Sequence, residues 1–324
     1  MPQNICSCND VFLVLYDFAV MNQNEHLLAN SGLSLERMSS FLQVVEAGNI
    51  AKAALGDATK QSQFSRQIKE MESFFGVALT RRVGRRIEIT DEGHRLALMI
   101  RRQFRELEDF RATMAGKSVQ VRFGAQGSII DWILTPRIEG IRKVLGDVTV
   151  EMEQMRTLDV MRAVADGRID FGILRVDALP KETKRWKLGN VGYALFAAKT
   201  PWKPLGCLER AVGKLPMVEL LPGGQFGSRW QEWLAEKKLR PQVIARLASF
   251  TQMTRVVRTG KAAAVLPEIA TVELDPKQFH AQPINGLPHR TMALIANPRS
   301  LERAGLDANA PSRLEKILRL DGGF

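Results

Sequence analysis

The sequence predicts a multidomain chain in which an α+β head is joined by one long helix to a larger α/β part. Three observations predict it. An amphipathic helix at Gln61–Gly76 stands third in a set of short helices and is followed by two short extended runs about Gly84. A stripe of apolar residues at three-four spacing continues from Leu96 to Met114, beyond so small a head. From Val119 onward, strand-like and helix-like runs alternate, the signature of a mainly parallel, doubly wound sheet.

Residues 1–33 carry no Lys or Arg and three acids (Asp10, Asp17, Glu25), and are expected to form an extension of unknown role. Their apolar run VFLVLYDFAV has no preceding cation, is interrupted by Asp17, and is too short to span a bilayer. No membrane contact is expected. At Ser34 a helix begins, with Leu35, Met38, Phe41, Leu42 and Val45 at helical spacing, and Gly48 ends it. Asn49 can cap a second helix, Ile50 to about Leu55, and 56–60 reads as a turn.

In QSQFSRQIKEMESFFG, Phe64, Ile68, Met71 and Phe75 share one face, while Ser62, Arg66, Lys69 and Ser73 lie opposite. Hydroxyls and long cations on a free face are the groups that reach phosphates and base edges in a major groove; a merely solvated face is the alternative. Standing third, the helix holds the place of the recognition helix in a helix-turn-helix. The following VALTRRVGRRIEIT is expected to be a small hairpin whose Arg81, Arg82, Arg85 and Arg86 grip a DNA backbone or enter a minor groove. Thr90, Asp91 and Glu92 open a helix running to about Ala115. Its Leu96, Ile100, Leu107, Phe110 and Met114, with Gln103 at the polar seam position, form a candidate dimerisation stripe; packing within the head is the alternative.

The domains read from this are a head at 34–89, a linker helix at 90–117 and an α/β part at 118–324. In the last, strand VQVRFG is followed by a helix carrying Ile129 to Val144, then strand VTVEM, a helix with Leu158, Met161 and Val164, and strand IDFGIL. YALFAA, PMVEL, a helix with Trp230 and Trp233, VIARL, a helix around Met253–Val257, AAAVL, MALIA and a last helix with Leu314 follow. This length divides into two lobes, one at about 118–197 and 294–324, the other at about 198–293. Ligands of such sheets bind at strand C-termini, here the loops after Phe123, Met152, Leu174, Leu221 and Leu247.

The net charge of +11 suits an anionic partner, either a polyanion or an acidic metabolite. Residues 60–86 concentrate it, with seven bases against two acids, a local footprint that favours nucleic acid. The 31 bases against 21 acids in 119–324 hint at an anionic small molecule there. Cys6, Cys8 and Cys207 suggest neither a disulfide framework nor a zinc site, which fits a reducing cytoplasm. His26, His94, His280 and His289 form no metal-ligand pair, and no GxSxG, Walker loop or CxxC occurs, so neither catalysis nor a metal or cofactor is expected.

In order and spacing, MSSFLQVVEAGNIAKAA, QSQFSRQIKEMESFFGVAL and RRIEITDEGHRL resemble the LysR-type transcriptional regulators, with looser similarity in GDVTVEME, AVADGRIDFGILR and VVRTGKAAAVLPE. The resemblance implies a winged helix-turn-helix, a linker helix and a two-lobed effector domain like the type 2 periplasmic binding proteins. It implies that Gln61, Ser62, Ser65, Arg66 and Lys69 face a double-stranded operator, that the chain forms a dimer or tetramer, and that RNA polymerase is a further contact. Asp57 departs from the pattern where the family has a core Leu, with Leu55 as its candidate substitute, and Thr80 replaces a usual Phe. Lys60 stands where a short hydroxylated cap is common, leaving Thr59 or Ser62; a capping Ser62 would have its hydroxyl occupied.

The resemblance also implies a cleft ligand. Ser128, straight after GAQG, and Thr157 can each offer a hydroxyl and backbone amides to an anion, or serve as plain caps. Arg175 can pair with a carboxylate or form an exposed salt bridge. GGQFGS at 223–228 is expected as a loop of backbone donors without dinucleotide spacing, and Phe226 and Ser249 are further cleft candidates. Two other functions fit parts of the chain: a solute-binding or transport-associated protein, and an architectural DNA-binding protein without effector.

Overall fold

The structure, a computed structural model, describes residues 33–84, 86–200, 202 and 206–320, with the side chain of Arg86 excluded. In the head, local capping sets the helix ends. Ser34 Oγ accepts the Arg37 amide at 3.2 Å to start α1 (Leu35–Ala47), and Gly48 ends it at φ 80°. Asn49 Oδ1 accepts the Lys52 amide at 2.9 Å to start α2 (Ile50–Ala53). The third helix, α3 (Ala58–Phe75), begins three residues before the expected Gln61 because Asp57 caps it, its Oδ1 accepting from Thr59 and Lys60 at 2.8 and 3.1 Å. Residues 58–60 are therefore helical, and neither Thr59 nor Ser62 is the cap. Leu55 does not replace a core leucine: it is 90% exposed and sits at φ 52°.

The head's core joins Phe41 and Val44 of α1, Ile50, and Phe64, Ile68 and Met71 of α3. Leu33, placed in the N-terminal extension by the sequence reading, already packs against it; residues 1–32 lie outside the described residues. A two-stranded hairpin follows, β1 (Thr80–Val83) and β2 (Arg86–Ile89), in antiparallel register Val83↔Arg86. Thr80 earns its place by hydrogen bonding: Glu72 Oε1 accepts its hydroxyl at 3.0 Å and the amides of Leu79 and Thr80 at 2.9 Å, fastening the end of α3 to the wing. Helix α4 (Asp91–Met114) starts where Thr90 Oγ1 accepts the Gly93 amide at 3.0 Å. Gly93 is required there, since a Cβ would lie 2.4 Å from the Leu79 carbonyl oxygen.

Within α4 the expected dimerisation stripe divides. Ile100 is buried and Leu96 half-buried against the head's core, so these two take the packing alternative. Leu107, Phe110 and Met114 are exposed large apolar residues. The chain resolves into two compact units whose division falls inside this helix, between Arg105 and Glu106.

In the second unit, one five-stranded sheet has the order β4-β3-β5-β12-β6: β3 (Val119–Ala125), β4 (Val148–Gln154), β5 (Phe171–Arg175), β6 (Trp186–Val191) and β12 (Arg290–Ala296). The other has the order β11-β7-β10-β8-β9: β7 (Tyr193–Ala198), β8 (Pro216–Leu220), β9 (Gln242–Leu247), β10 (Ala263–Pro267) and β11 (Phe279–Pro283). In each sheet one strand runs against the other four, β12 in the first and β7 in the second. Each reversed strand is the one that arrives from the other lobe. The crossovers therefore lie at Gly192 and between Pro283 and Arg290, a few residues before the expected boundaries near 198 and 294, because YALFAA belongs to the second sheet and all of β12 to the first. Gly192 is clasped by Glu268, whose amide donates to the Gly192 carbonyl at 3.0 Å and whose Oε2 accepts its amide at 3.2 Å; a Cβ would lie 2.7 Å from that carboxylate.

Helices α5 (Ile138–Leu145), α6 (Thr157–Ala165), α10 (Pro298–Arg303) and α11 (Ala310–Leu318) accompany the first sheet, and α7 (Leu208–Lys214), α8 (Gly224–Glu236) and α9 (Phe250–Arg258) the second. The expected single helix from Ile129 to Val144 is instead a one-turn α segment (Gly127–Ile129), a π turn (Ile130–Leu134) and a 3-10 turn containing Pro136, then α5. Proline has no amide to continue the ladder. The π turn sends Trp132 out of the first lobe into the second lobe's core, where its Nε1 donates to Glu273 Oε1 at 2.7 Å. Arg303 of α10 is buried between Asp170 at 3.0 Å and Asp109, tying the last turns of α4 to the first lobe.

Candidate functional site

On α3, Gln61, Ser62, Arg66 and Lys69 are exposed and Ser65 is half-buried. At 100° per residue they occupy an arc of about 140°, in which Ser62, Arg66 and Lys69 lie opposite Phe64, Ile68 and Met71 while Gln61 and Ser65 lie toward the edge next to Ile68. Because Asp57 caps the helix, the Ser62 hydroxyl makes no hydrogen bond among the described residues and is free to meet a ligand. Arg66 is 79% exposed and lies 3.4 Å from Glu70, which Arg37 of α1 also pairs at 2.7 Å. An exposed pair of this kind is worth under about 1 kcal/mol, so it aims the guanidinium without consuming it. Lys69 has no salt bridge among the described residues.

In the wing, alternation puts Arg81 and Arg82 on opposite faces. Arg81 faces Glu88 across the ladder at 3.3 Å, while Arg82 Nε donates to the Gly84 carbonyl at 3.2 Å and has no charge partner among the described residues. Arg85 and the side chain of Arg86 lie outside the described residues.

On α4, Met99 joins Leu107, Phe110 and Met114 as an exposed apolar side chain. With Gln103 they span about 80° of the helix. The three-four spacing extends to Met99 in the sequence too, so the signal for it was present.

The candidate effector residues fall into two groups. Ser128 and Thr157 are half-buried at the first turns after β3 and β4, and neither caps its helix: those positions belong to Gln126 and Arg156, without side-chain hydrogen bonds. The Gly127–Ile129 turn lies against α9 of the other lobe. Ser249 does take the plain role there, capping α9 by accepting the Gln252 amide at 3.2 Å. GGQFGS is not a loop: α8 starts at Gly224, so Phe226 sits in its first turn, packed against Tyr193 at 4.7 Å and Phe250 at 5.1 Å between centroids.

Arg175 belongs to the second group. Its Nη1 pairs with Asp177 at 3.1 Å and donates to Gln225 Oε1, the same oxygen that accepts from Arg290 Nη1 at 3.0 Å. Burial, and next the neighbouring Arg290, hold the Arg175 guanidinium below the usual arginine range. Burial pushes the Tyr193 hydroxyl above the usual tyrosine range, partly offset by the positive charge of Arg290. This cluster borders a cleft of about 810 Å³ between α8 and the segments following β5 and preceding β12, which Ser128, Thr157 and Ser249 do not line. Gln225, Arg290 and Tyr193 were not anticipated. Arg290 meets Arg175 only through the antiparallel pairing of β5 and β12, which no local pattern encodes.

A three-helix head with a hairpin wing, joined in sequence through a long helix to two α/β lobes, is the architecture of an effector-binding transcriptional regulator. Residues 35–94 match the bacterial regulatory helix-turn-helix proteins of the lysR family, and 115–308 match the LysR substrate binding domain. The chain belongs to the LysR family of transcriptional regulators, with a helix-turn-helix DNA-binding domain and an effector-binding domain. It is 25% identical over 243 residues to a probable hydrogen peroxide-inducible genes activator of Mycobacterium leprae, covering 72% of this chain and 77% of that one. It is 25% identical over 264 residues to a probable nitrogen assimilation transcriptional activator of Synechococcus elongatus, covering 76% and 82%. Full-length OxyR from Pseudomonas aeruginosa shares the fold, with TM-score 0.55 and 18% identity over 89% of this chain and 95% of that one. So does full-length CbnR crystallised with its target DNA, with TM-score 0.52 and 18% identity over 87% and 99%. Among the described residues no helix is long and apolar enough to cross a membrane.

Proposed function

We propose that the chain binds a double-stranded operator as a dimer or tetramer and that a small molecule held between its two α/β lobes modulates this binding. The observation that carries the proposal is the free face of α3. Asp57 relieves Ser62 of capping, and Gln61, Ser62, Ser65, Arg66 and Lys69 then present hydroxyls, an amide and cations on one arc. Such a face reads a major groove. Arg81 and Arg82, with Arg85 and Arg86, supply backbone or minor-groove contacts. CbnR's complex with its target DNA supports the reading.

Two copies pair through Met99, Leu107, Phe110 and Met114, so that two heads meet two half-sites. The effector contacts Arg175 beside the 810 Å³ cleft, while Ser128, Thr157, Phe226 and Ser249, the other candidates, stand outside that cleft's lining. It changes DNA bending or polymerase contact only to the extent that it binds one lobe arrangement better than another. The protein thus acts by binding rather than catalysis, in the cytoplasm where its operator lies. A gel-shift titration tests the core of this: Arg66→Ala is expected to lose at least about ten-fold in specific operator affinity, and unchanged affinity removes α3 from the interface.

A further inference from the structure

We infer that Arg175 and Arg290 form an oxyanion subsite bridging the two lobes, in which the Gln225 amide oxygen is the internal acceptor that the effector's carboxylate or phosphate group replaces. The inference rests on the reading that the cleft takes a small-molecule effector, and names that molecule's chemical class.

Two cations converge on one neutral oxygen. Arg175 and Arg290 both donate to Gln225 Oε1, Arg290 at 3.0 Å. Arg175 is 14% exposed, and its one carboxylate partner, Asp177, is 62% exposed and largely hydrated. Arg290 Nε is buried with no acceptor among the described residues. A purely structural arginine pair would be met by a buried carboxylate, because a neutral amide leaves the guanidinium–guanidinium repulsion unanswered. A carboxylate offers about four lone-pair sites and a negative charge to the same donors.

The position favours exchange. Gln225 is exposed, in the first turn of α8, and borders the 810 Å³ cleft. Of the charged groups lining that cleft, Arg229 and Glu232 pair with each other at 3.0 Å and Asp177 pairs with Arg175 at 3.1 Å, which leaves Arg290 without a carboxylate partner among the described residues. Arg175 and Arg290 stand on the first lobe's sheet and Gln225 on the second lobe's helix. An oxyanion in place of the amide oxygen therefore holds the first lobe's guanidiniums and faces the start of α8, whose N-cap Gly223 offers no side-chain acceptor.

Calorimetric titration of the full-length protein with sodium benzoate and, separately, with inorganic phosphate, at fixed ionic strength in chloride, tests this. Binding of either probe is expected to weaken about ten-fold or more in Arg290→Gln and Arg175→Gln, and the probe that binds identifies the group. Lys237→Gln, an equal loss of charge on the exposed end of α8, is expected to bind as the parent does. Gln225→Glu fills the subsite from within, and is expected to abolish probe binding and raise the melting temperature. Binding of neither probe, unchanged binding in Arg290→Gln, an equal loss in Lys237→Gln, or unchanged binding in Gln225→Glu overturns the inference. Should an arginine variant fail to fold, Gln225→Glu decides alone. Arginine-dependent binding that leaves operator affinity unmoved keeps the subsite but removes the effector reading. An operator response to benzoate or phosphate that survives in both arginine variants keeps the effector reading and overturns the subsite.

Discussion

Asp57 Oδ1 accepts two amides, and this decides what Ser62 is free to do. Loss of such a cap costs about 1 kcal/mol, which in a domain of this size is a fall in melting temperature of about 4–8 °C. Asp57→Ala is therefore expected to lower the head's melting temperature by that amount in circular dichroism. Ser62→Ala is expected to leave the melting unchanged and weaken operator binding; the reverse pattern would return the cap to Ser62. Tyr193 offers a second residue-level test, because the chain has only two tyrosines. Its pKa is raised by burial against the opposing pull of Arg290. The unfolded chain releases this proton near pH 10, whereas the folded protein keeps it to higher pH, so its stabilising contribution is complete below pH 10 and lost as pH rises through the folded value. A tyrosinate absorbance titration is expected to show one step above the ordinary range, absent in Tyr193→Phe.

Among the elements, the wing and α4 make separable predictions. Arg82→Ala is expected to reduce the slope of log affinity against log salt by about 1. Arg81→Ala is expected to change it less, since Glu88 already faces Arg81 at 3.3 Å; equal slopes would show that this pair opens on binding. Replacing Leu107 and Phe110 together by Glu is expected to dissociate the oligomer in sedimentation velocity while the head still melts as before. The elements legible in sequence were those whose signals are local: the Ser34 and Asn49 caps, the Gly48 stop, the alternating β3 and the apolar β7. Strands β6 (WKLGNV) and β11 (FHAQP) were not read, because Gly189, His280 and Pro283 dilute their patterns and their pairing partners are distant in sequence. The extent of α3 was misjudged for a related reason, since a carboxylate at a position typical of leucine reads as a lost core contact until its Oδ1 is seen on two amides. The site was half legible. Arg175 announces itself as a charge at the end of an apolar strand, but Arg290 and Gln225 reach it only through the sheet order.

At the scale of the molecule, two compact units divide within α4, each with its own apolar core. In the second, the lobes are linked by more than their two crossovers, because Trp132 leaves the first lobe and fills the core of the second, with its indole bonded to Glu273. Separate cores of this size unfold as separate cooperative transitions. Two transitions are therefore expected in scanning calorimetry. Ile100→Ala empties part of the head's core at a cost of about 2–5 kcal/mol, and is expected to lower only one of them, by on the order of 10 °C. Trp132→Ala costs about 3–5 kcal/mol and is expected to lower only the other. Its shift is smaller per kcal/mol, about 2–4 °C, because that unit is larger. A single transition that moves as a whole in both variants would show that α4 couples the two units into one cooperative body.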